Sequence, residues 1–91
     1  MMEIEKDVKL KYPLNYFLKL IFDNNIDQSI RKASVQNLFD QYDVPSGDFQ
    51  VKISESERYI TFTVQVLIIN EEVFSLLYSG LKSLPGLRFA V

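Results

Sequence analysis

The sequence predicts an α+β domain in which one antiparallel sheet carries two helices on a single face. The strongest observation is residues 59–69, a run dense in β-branched and aromatic residues without glycine or proline, which is typical of a strand. Two further segments repeat apolar residues at helical spacing, and shorter alternating runs lie before, between and after them. The predicted order is strand, helix, strand, strand, helix, strand, as in the ferredoxin-like βαββαβ fold. Right-handed crossovers would place the first and third strands at the centre.

The first strand is predicted over residues 12–22, with Pro13 near its start, where a missing N–H group is tolerated. Successive side chains along a strand point to opposite faces of the sheet. The side chains expected to face the core are Leu18, Leu20 and Phe22, and those expected on the other face are Phe17, Lys19 and Ile21. A polar turn over residues 23–25 follows.

The first helix is predicted over residues 27–42, with Asp27 as its N-cap. Its apolar residues fall into two groups on nearly opposite sides, Val35, Leu38, Phe39 and Tyr42 on one and Ile26, Ile30 and Ala33 on the other. Such a pattern is unusual for a helix with one buried stripe. A start later than Asp27, a kink, or an exposed apolar patch in the first turns would each explain it, and we favour the late start.

The second half of the chain predicts a hairpin. Residues 49–54 alternate, so that Phe49, Val51 and Ile53 are expected in the core and Gln50 and Lys52 outside. A short polar connection over residues 55–57 then leads into the long strand, 59–69. On that strand, alternation turns the even-numbered residues from Ile60 to Ile68 toward the core and the odd-numbered ones away.

The last two elements are a helix and a strand. Asn70 is predicted to cap the second helix, and Pro85-Gly86 to end it. The final strand alternates over residues 87–91, with Leu87, Phe89 and Val91 expected in the core and Arg88 and Ala90 on the helix-free face.

The chain is predicted to form a single domain over residues 12–91, preceded by a tail at residues 1–11. The N-terminal residues lack the apolar core of a signal peptide, and no apolar run approaches the ~20 residues of a membrane span. With no cysteine in the sequence, we expect a cytoplasmic protein with no membrane partner.

Composition argues against catalysis. The sequence has no histidine and no cysteine, which removes the usual general base near neutral pH, thiolate nucleophiles and the commonest transition-metal ligands. The acidic pairs Glu55/Glu57 and Glu71/Glu72 fit a turn and a helix start better than an acid/base pair. We therefore predict no catalytic, cofactor-binding or metal-binding residue. A net charge of −2 also gives no electrostatic reason to bind nucleic acid.

The face of the sheet without helices is the best candidate for function. Apolar residues grouped on two central strands are a sign of an interface, although a solvated face is an equally common arrangement. The residues that we expect to bind a partner on this face are Phe17, Lys19, Tyr59, Thr61 and Thr63. Lys19 could contact an acidic group of a partner, or its side chain could extend to water.

Residues 12–91 also resemble the YbeD-like family of small uncharacterised bacterial proteins, some of which are labelled lipoate-regulatory. The resemblance is carried by Tyr12-Pro13, Lys19, Lys52, Ser54, Tyr59-Ile60-Thr61, Phe62, Val64, Val66, Leu77-Tyr78, Leu81 and Arg88. The first helix departs from the family pattern in length and apolar spacing. The resemblance implies a fold similar to regulatory domains of the ACT type, a possible link to lipoate metabolism and no enzymatic activity.

Two other uses of this fold fit the sequence less well. An ACT-type ligand site would need a glycine in the turn after the first strand, where Asp23, Asn24 and Asn25 stand. RNA recognition would need aromatic residues where Thr61 and Thr63 lie. We therefore expect a non-enzymatic regulatory or adaptor domain that binds a protein, or a second copy of itself, through the helix-free face or an edge strand, with an ACT-like small-molecule sensor as the alternative.

Overall fold

A computed structural model describes residues 11–91 and has the predicted order of elements. The elements are β1 (Leu14–Asp23), α1 (Gln28–Gln41), β2 (Gln50–Ile53), β3 (Tyr59–Ile68), α2 (Glu71–Lys82) and β4 (Leu87–Ala90). The strands form one antiparallel sheet in the order β2-β3-β1-β4. The ferredoxin-like fold and the central place of the first and third strands are confirmed. Apart from Lys11, the predicted tail lies outside the described residues.

The core lies between the sheet and the two helices. Strands β1 and β3, ten residues each, pair along their whole length and bury their even-numbered side chains from Leu18 to Phe22 and from Ile60 to Ile68. Phe62 is fully buried, and its ring makes edge-on contacts with those of Phe22 and Phe49 at centroid distances of 5.8 Å. The predicted faces of both central strands are confirmed.

Helix α1 begins immediately after Asp27, so the favoured late start is wrong. The Asp27 carboxylate accepts a hydrogen bond of 2.8 Å from the main-chain N–H of Ser29 and caps the helix. Ile26 and Ile30 are exposed at its start. Arg31 is the buried residue of the first turns, in line with Val35 and Phe39. The buried stripe therefore begins with a charged residue, which apolar spacing could not reveal.

Edge strand β2 corrects a second expectation. Val51 pairs with Phe62 and Ile53 with Ile60, so both lie on the helix side as predicted. Both are nevertheless exposed, because the helix layer does not reach over this edge of the sheet. Phe49, just before the strand, is half-buried and stacks on Phe39.

Strand β4 corrects a third expectation, because its register with β1 shifts. Phe22 pairs with Leu87 but Ile21 pairs with Phe89, so one extra residue, Arg88, lies between the two pairs as in a β-bulge. After the shift, Ala90 lies opposite the core residue Leu20 and is fully buried. Phe89 therefore lies on the helix-free face. The predicted core positions of Phe89 and Val91, and the predicted outward position of Ala90, are wrong.

Candidate functional site

The five predicted partner-binding residues all lie on the helix-free face, which we call the open face. Phe17 and Lys19 are on β1, and Tyr59, Thr61 and Thr63 are on β3. Phe17, Lys19 and Tyr59 are exposed, and the two threonines are half-buried. Because the five side chains share one surface, one partner could contact all of them. Their role in binding stays a prediction.

The register defines how these residues are arranged. Lys19 pairs with Thr63 at the centre of the sheet, and Ile21, two residues further along β1, pairs with Thr61. Phe17 pairs with Gln65, whereas Tyr59 pairs with Asp23. These two pairs are six positions apart along β1, which is about 20 Å at ~3.3 Å per residue. The two aromatic side chains therefore lie at opposite ends of the face.

Strand β4 adds two apolar residues that sequence reasoning placed in the core. Phe89 lies beside Ile21, and Val91 exchanges main-chain hydrogen bonds of 2.9 and 3.0 Å with Lys19. The exposed fractions of the large apolar side chains on the open face are 58% for Phe17, 45% for Phe89, 44% for Val91 and 41% for Tyr59. No sequence signal marks the register shift, because the run 87–91 alternates as regularly as an unbroken strand would.

Near the register shift, the open face has a shallow depression lined by Ile21, Tyr59, Arg88 and Phe89. At its rim, Arg88 Nε donates a hydrogen bond of 2.8 Å to Asp23 Oδ1, which forms a salt bridge. This contact raises the pKa of Arg88 above its usual value. The depression combines apolar walls with a fixed charge pair, so it could hold an apolar side chain of a partner.

The turn after β1 is the place where an ACT-type ligand site was considered. Arg31, which is only 6% exposed, reaches this turn from α1. Its guanidinium donates to the carbonyl oxygens of Pro85 and Asp23 and to Asn25 Oδ1, and it lies 5.0 Å from the ring centroid of Phe22. A protein side chain thus occupies the space beside the turn, and it joins the β1–α1 connection to the α2–β4 connection.

Two tyrosines, Tyr78 and Tyr12, have raised pKa values because of where they are packed. Burial raises the pKa of Tyr78, and its ring packs on Phe74 at 4.6 Å between centroids. Burial, with a smaller effect of Glu71, raises the pKa of Tyr12.

Between residues 11 and 91, no group of three or more acidic side chains is close enough to hold a metal ion. No helix in that range is long and apolar enough to cross a membrane.

Three solved structures with similar folds are distant from this chain in sequence. They include protein HP0495 from H. pylori, with a TM-score of 0.70 and 16% identity over 94% of this chain and 89% of that one. The C-terminal domain of the MgtC protein from Mycobacterium tuberculosis has a TM-score of 0.67 and 16% identity, over 92% and 89%. The ACT domain of GTP pyrophosphokinase from Chlorobium tepidum has a TM-score of 0.63 and 8% identity, over 85% and 94%. At such identities the likeness shows the fold, which is ACT-like.

Sequence comparison assigns the family. No curated protein matches the chain. The family described as "Protein of unknown function (DUF493)", which is the YbeD-like family, matches residues 7–91. This match covers nearly the whole sequence and includes every element of the fold, and the chain therefore belongs to the DUF493 family.

Proposed function

We propose that this protein is a non-enzymatic regulatory or adaptor domain of the bacterial cytoplasm that binds a partner protein through its open face. The observation that carries the proposal is the group of exposed apolar side chains on that face, Phe17, Tyr59, Phe89 and Val91. Exposed apolar groups of this kind are a sign of a binding surface.

The chemistry of the open face favours binding over catalysis. Its central positions carry an amine, two hydroxyls and apolar surface, from Lys19, Thr61, Thr63 and Ile21. A general base or nucleophile needs a partner that shifts its protonation or orients it, and the sequence has no histidine or cysteine to serve. Aromatic and aliphatic groups around a single amine suit recognition of another protein surface.

The alternative, an ACT-like small-molecule sensor, has less support. The buried guanidinium of Arg31 fills the space beside the β1–α1 turn and is held there by three oxygen acceptors. A ligand at this position would have to displace it. The link to lipoate metabolism rests on the family resemblance, and it would be supported if the partner proved to be a lipoate-processing protein.

Site-specific photocrosslinking in the native cell tests the proposal. Benzoylphenylalanine at Phe17, which is exposed on the open face, should capture a protein, and mass spectrometry should identify it. The same residue at Leu76, exposed on α2, is the matched control and should not capture that protein. Capture at Leu76 alone would move the binding surface to the helix side and contradict the proposal.

The captured protein is then purified and its affinity measured. Thr61→Arg and Thr61→Glu should both weaken binding strongly, because each replaces a half-buried threonine by a larger charged side chain that must lose water when a partner covers the face. Ser75→Arg and Ser75→Glu, on the exposed side of α2, make the same charge changes and should leave binding intact. If the captured protein is this chain itself, light scattering of the same four variants decides whether the open face forms a homo-oligomer.

A further inference from the structure

Resting on the proposed function, we propose that the partner presents an acidic and apolar segment to the open face. One of its apolar side chains occupies the depression lined by Ile21, Tyr59, Arg88 and Phe89, and one of its carboxylates pairs with Lys19.

The central position of Lys19 carries the charge argument. Val91 and Thr63 flank it on the neighbouring strands, and Phe17 and Ile21 flank it along β1. Among residues 11–91, no carboxylate lies within 4 Å of the Lys19 amine, and the carboxylate of Asp23, at the end of β1, is already bonded to Arg88. A partner that covers the surrounding apolar groups also covers the amine. An interface charge without a partner is costly, so the covering surface must supply an acidic group.

The charges of the strands reinforce this requirement. On the open face, the strands carry Lys19, Lys52 and Arg88 against the single carboxylate of Asp23. The chain as a whole is acidic, with a net charge of −2. The open face therefore has the opposite charge balance from the complete molecule, and complementary charge favours an acidic partner and disfavours a basic one.

A second copy of the chain does not fit the face as well. In a two-fold dimer the same surface meets itself, so the lysines of both open faces would share one interface without added carboxylates. A head-to-tail contact with the helix side of a second copy would leave an open face free at each step, and such contacts grow into chains unless the rotation closes. A separate acidic protein avoids both outcomes.

Single-stranded nucleic acid also fits poorly. Base-stacking platforms place aromatic side chains where successive bases can lie on them. Here the two central pairs, Lys19 with Thr63 and Ile21 with Thr61, contain no aromatic residue. Phe17 and Tyr59 stand at opposite ends of the face.

The test uses the full chain and four fluorescein-labelled probes of twelve units. They are a peptide of alternating Leu and Glu, a peptide of alternating Leu and Lys, a peptide of alternating Ser and Glu, and oligodeoxythymidylate. Fluorescence anisotropy gives the affinities. The Leu/Glu peptide should bind at least tenfold more tightly than the other three probes, because it alone supplies both carboxylates for Lys19 and apolar side chains for the depression. Amide chemical-shift changes should concentrate on β1, β3 and β4.

Charge reversal gives the specific readout. Lys19→Glu should weaken Leu/Glu binding about tenfold or more and should make Leu/Lys the preferred peptide. Lys82→Glu, in the last turn of α2, makes the same charge change on the helix side and should leave the preference unchanged. Circular dichroism confirms that both variants fold.

Several results would overturn the inference. One is that the Leu/Lys peptide or oligodeoxythymidylate binds as tightly as the Leu/Glu peptide, and another is that Lys19→Glu leaves the affinity for the Leu/Glu peptide unchanged. The others are amide chemical-shift changes confined to the helices, and no binding of any peptide at millimolar concentration. The two proposals fail separately. If the crosslinked partner needs Thr61 but tolerates Lys19→Glu, the open face is a protein-binding site and the acidic partner is wrong. If Phe17 captures nothing in the cell, the proposed function itself is wrong.

Discussion

Gly86→Ala should strongly destabilise the fold through its contact with Arg31. Gly86 has a φ of +78°, in the left-handed region where a residue with a Cβ atom costs about 1–2 kcal/mol. An added Cβ would also lie 2.8 Å from Arg31 Cζ and 2.9 Å from Nη1, closer than real Cβ contacts. The guanidinium would have to move.

Displacement of the Arg31 guanidinium accounts for the larger part of the expected loss of stability. The Arg31 guanidinium is held by the carbonyls of Pro85 and Asp23 and by Asn25. A hydrogen bond to a charged group contributes about 1.5–3 kcal/mol. Loss of one such bond together with the backbone strain gives a destabilisation of about 2.5–5 kcal/mol, which is a large part of the ~5–15 kcal/mol that stabilises a domain.

Urea denaturation followed by circular dichroism measures this loss, and a double-mutant cycle tests its origin. In an Arg31→Met background, Gly86→Ala should cost only the backbone strain, about 1–2 kcal/mol. Gly47→Ala is the control, because its added Cβ would meet nothing nearer than Gln65 Cβ at 3.9 Å. If the costs of Gly86→Ala and Arg31→Met add to within about 0.5 kcal/mol, the guanidinium moves freely and the reasoning is refuted.

Substitutions at three further positions test the core and the two helix caps. Phe62→Ala should cost about 3–5 kcal/mol in urea denaturation, because it removes a fully buried ring between two others, and an unchanged midpoint would contradict the assignment of sheet faces. Asn70→Ala should cost about 1 kcal/mol, because the Asn70 side chain accepts from the N–H of Val73 at the start of α2; Asn70→Ser should restore most of it. Hydrogen bonds from Ser29 lower the pKa of Asp27, so its cap stabilises the fold above the unfolded pKa of about 3.9 and this contribution is lost as pH falls through the lower folded value. Asp27→Asn keeps a capping side chain without this titration, so stability should fall less steeply with acid below about pH 4; an identical acid profile would exclude this role.

The regular parts of the fold could be predicted because one physical requirement dominates each of them. The ten residues of β3 alternate without interruption, and a strand between a dry core and an open face needs that alternation. The same reasoning placed the five candidate residues on one surface, since Lys19 and Thr63 follow from the faces of two central strands.

The residues whose positions were predicted wrongly are placed by contacts between distant parts of the chain. The direction of Phe89 follows from how β4 pairs with β1, and nothing within residues 87–91 encodes that register. Arg31 is buried because three oxygen acceptors from two connections surround it. An arginine in a helix is usually solvated, so apolar spacing alone assigned the wrong start to α1.

The exposed edge of β2 has a consequence for behaviour at high concentration. Val51 and Ile53 lie uncovered on the outermost strand, and a free strand edge with apolar side chains is a template for intermolecular sheet formation and aggregation. Two features oppose this: the strand has only four residues, and Lys52, between Val51 and Ile53 in sequence, places a positive charge on the opposite face of the strand. Replacement of that lysine by an apolar residue would remove the charge and leave three consecutive apolar side chains, so we expect Lys52 to oppose the joining of sheets from neighbouring molecules.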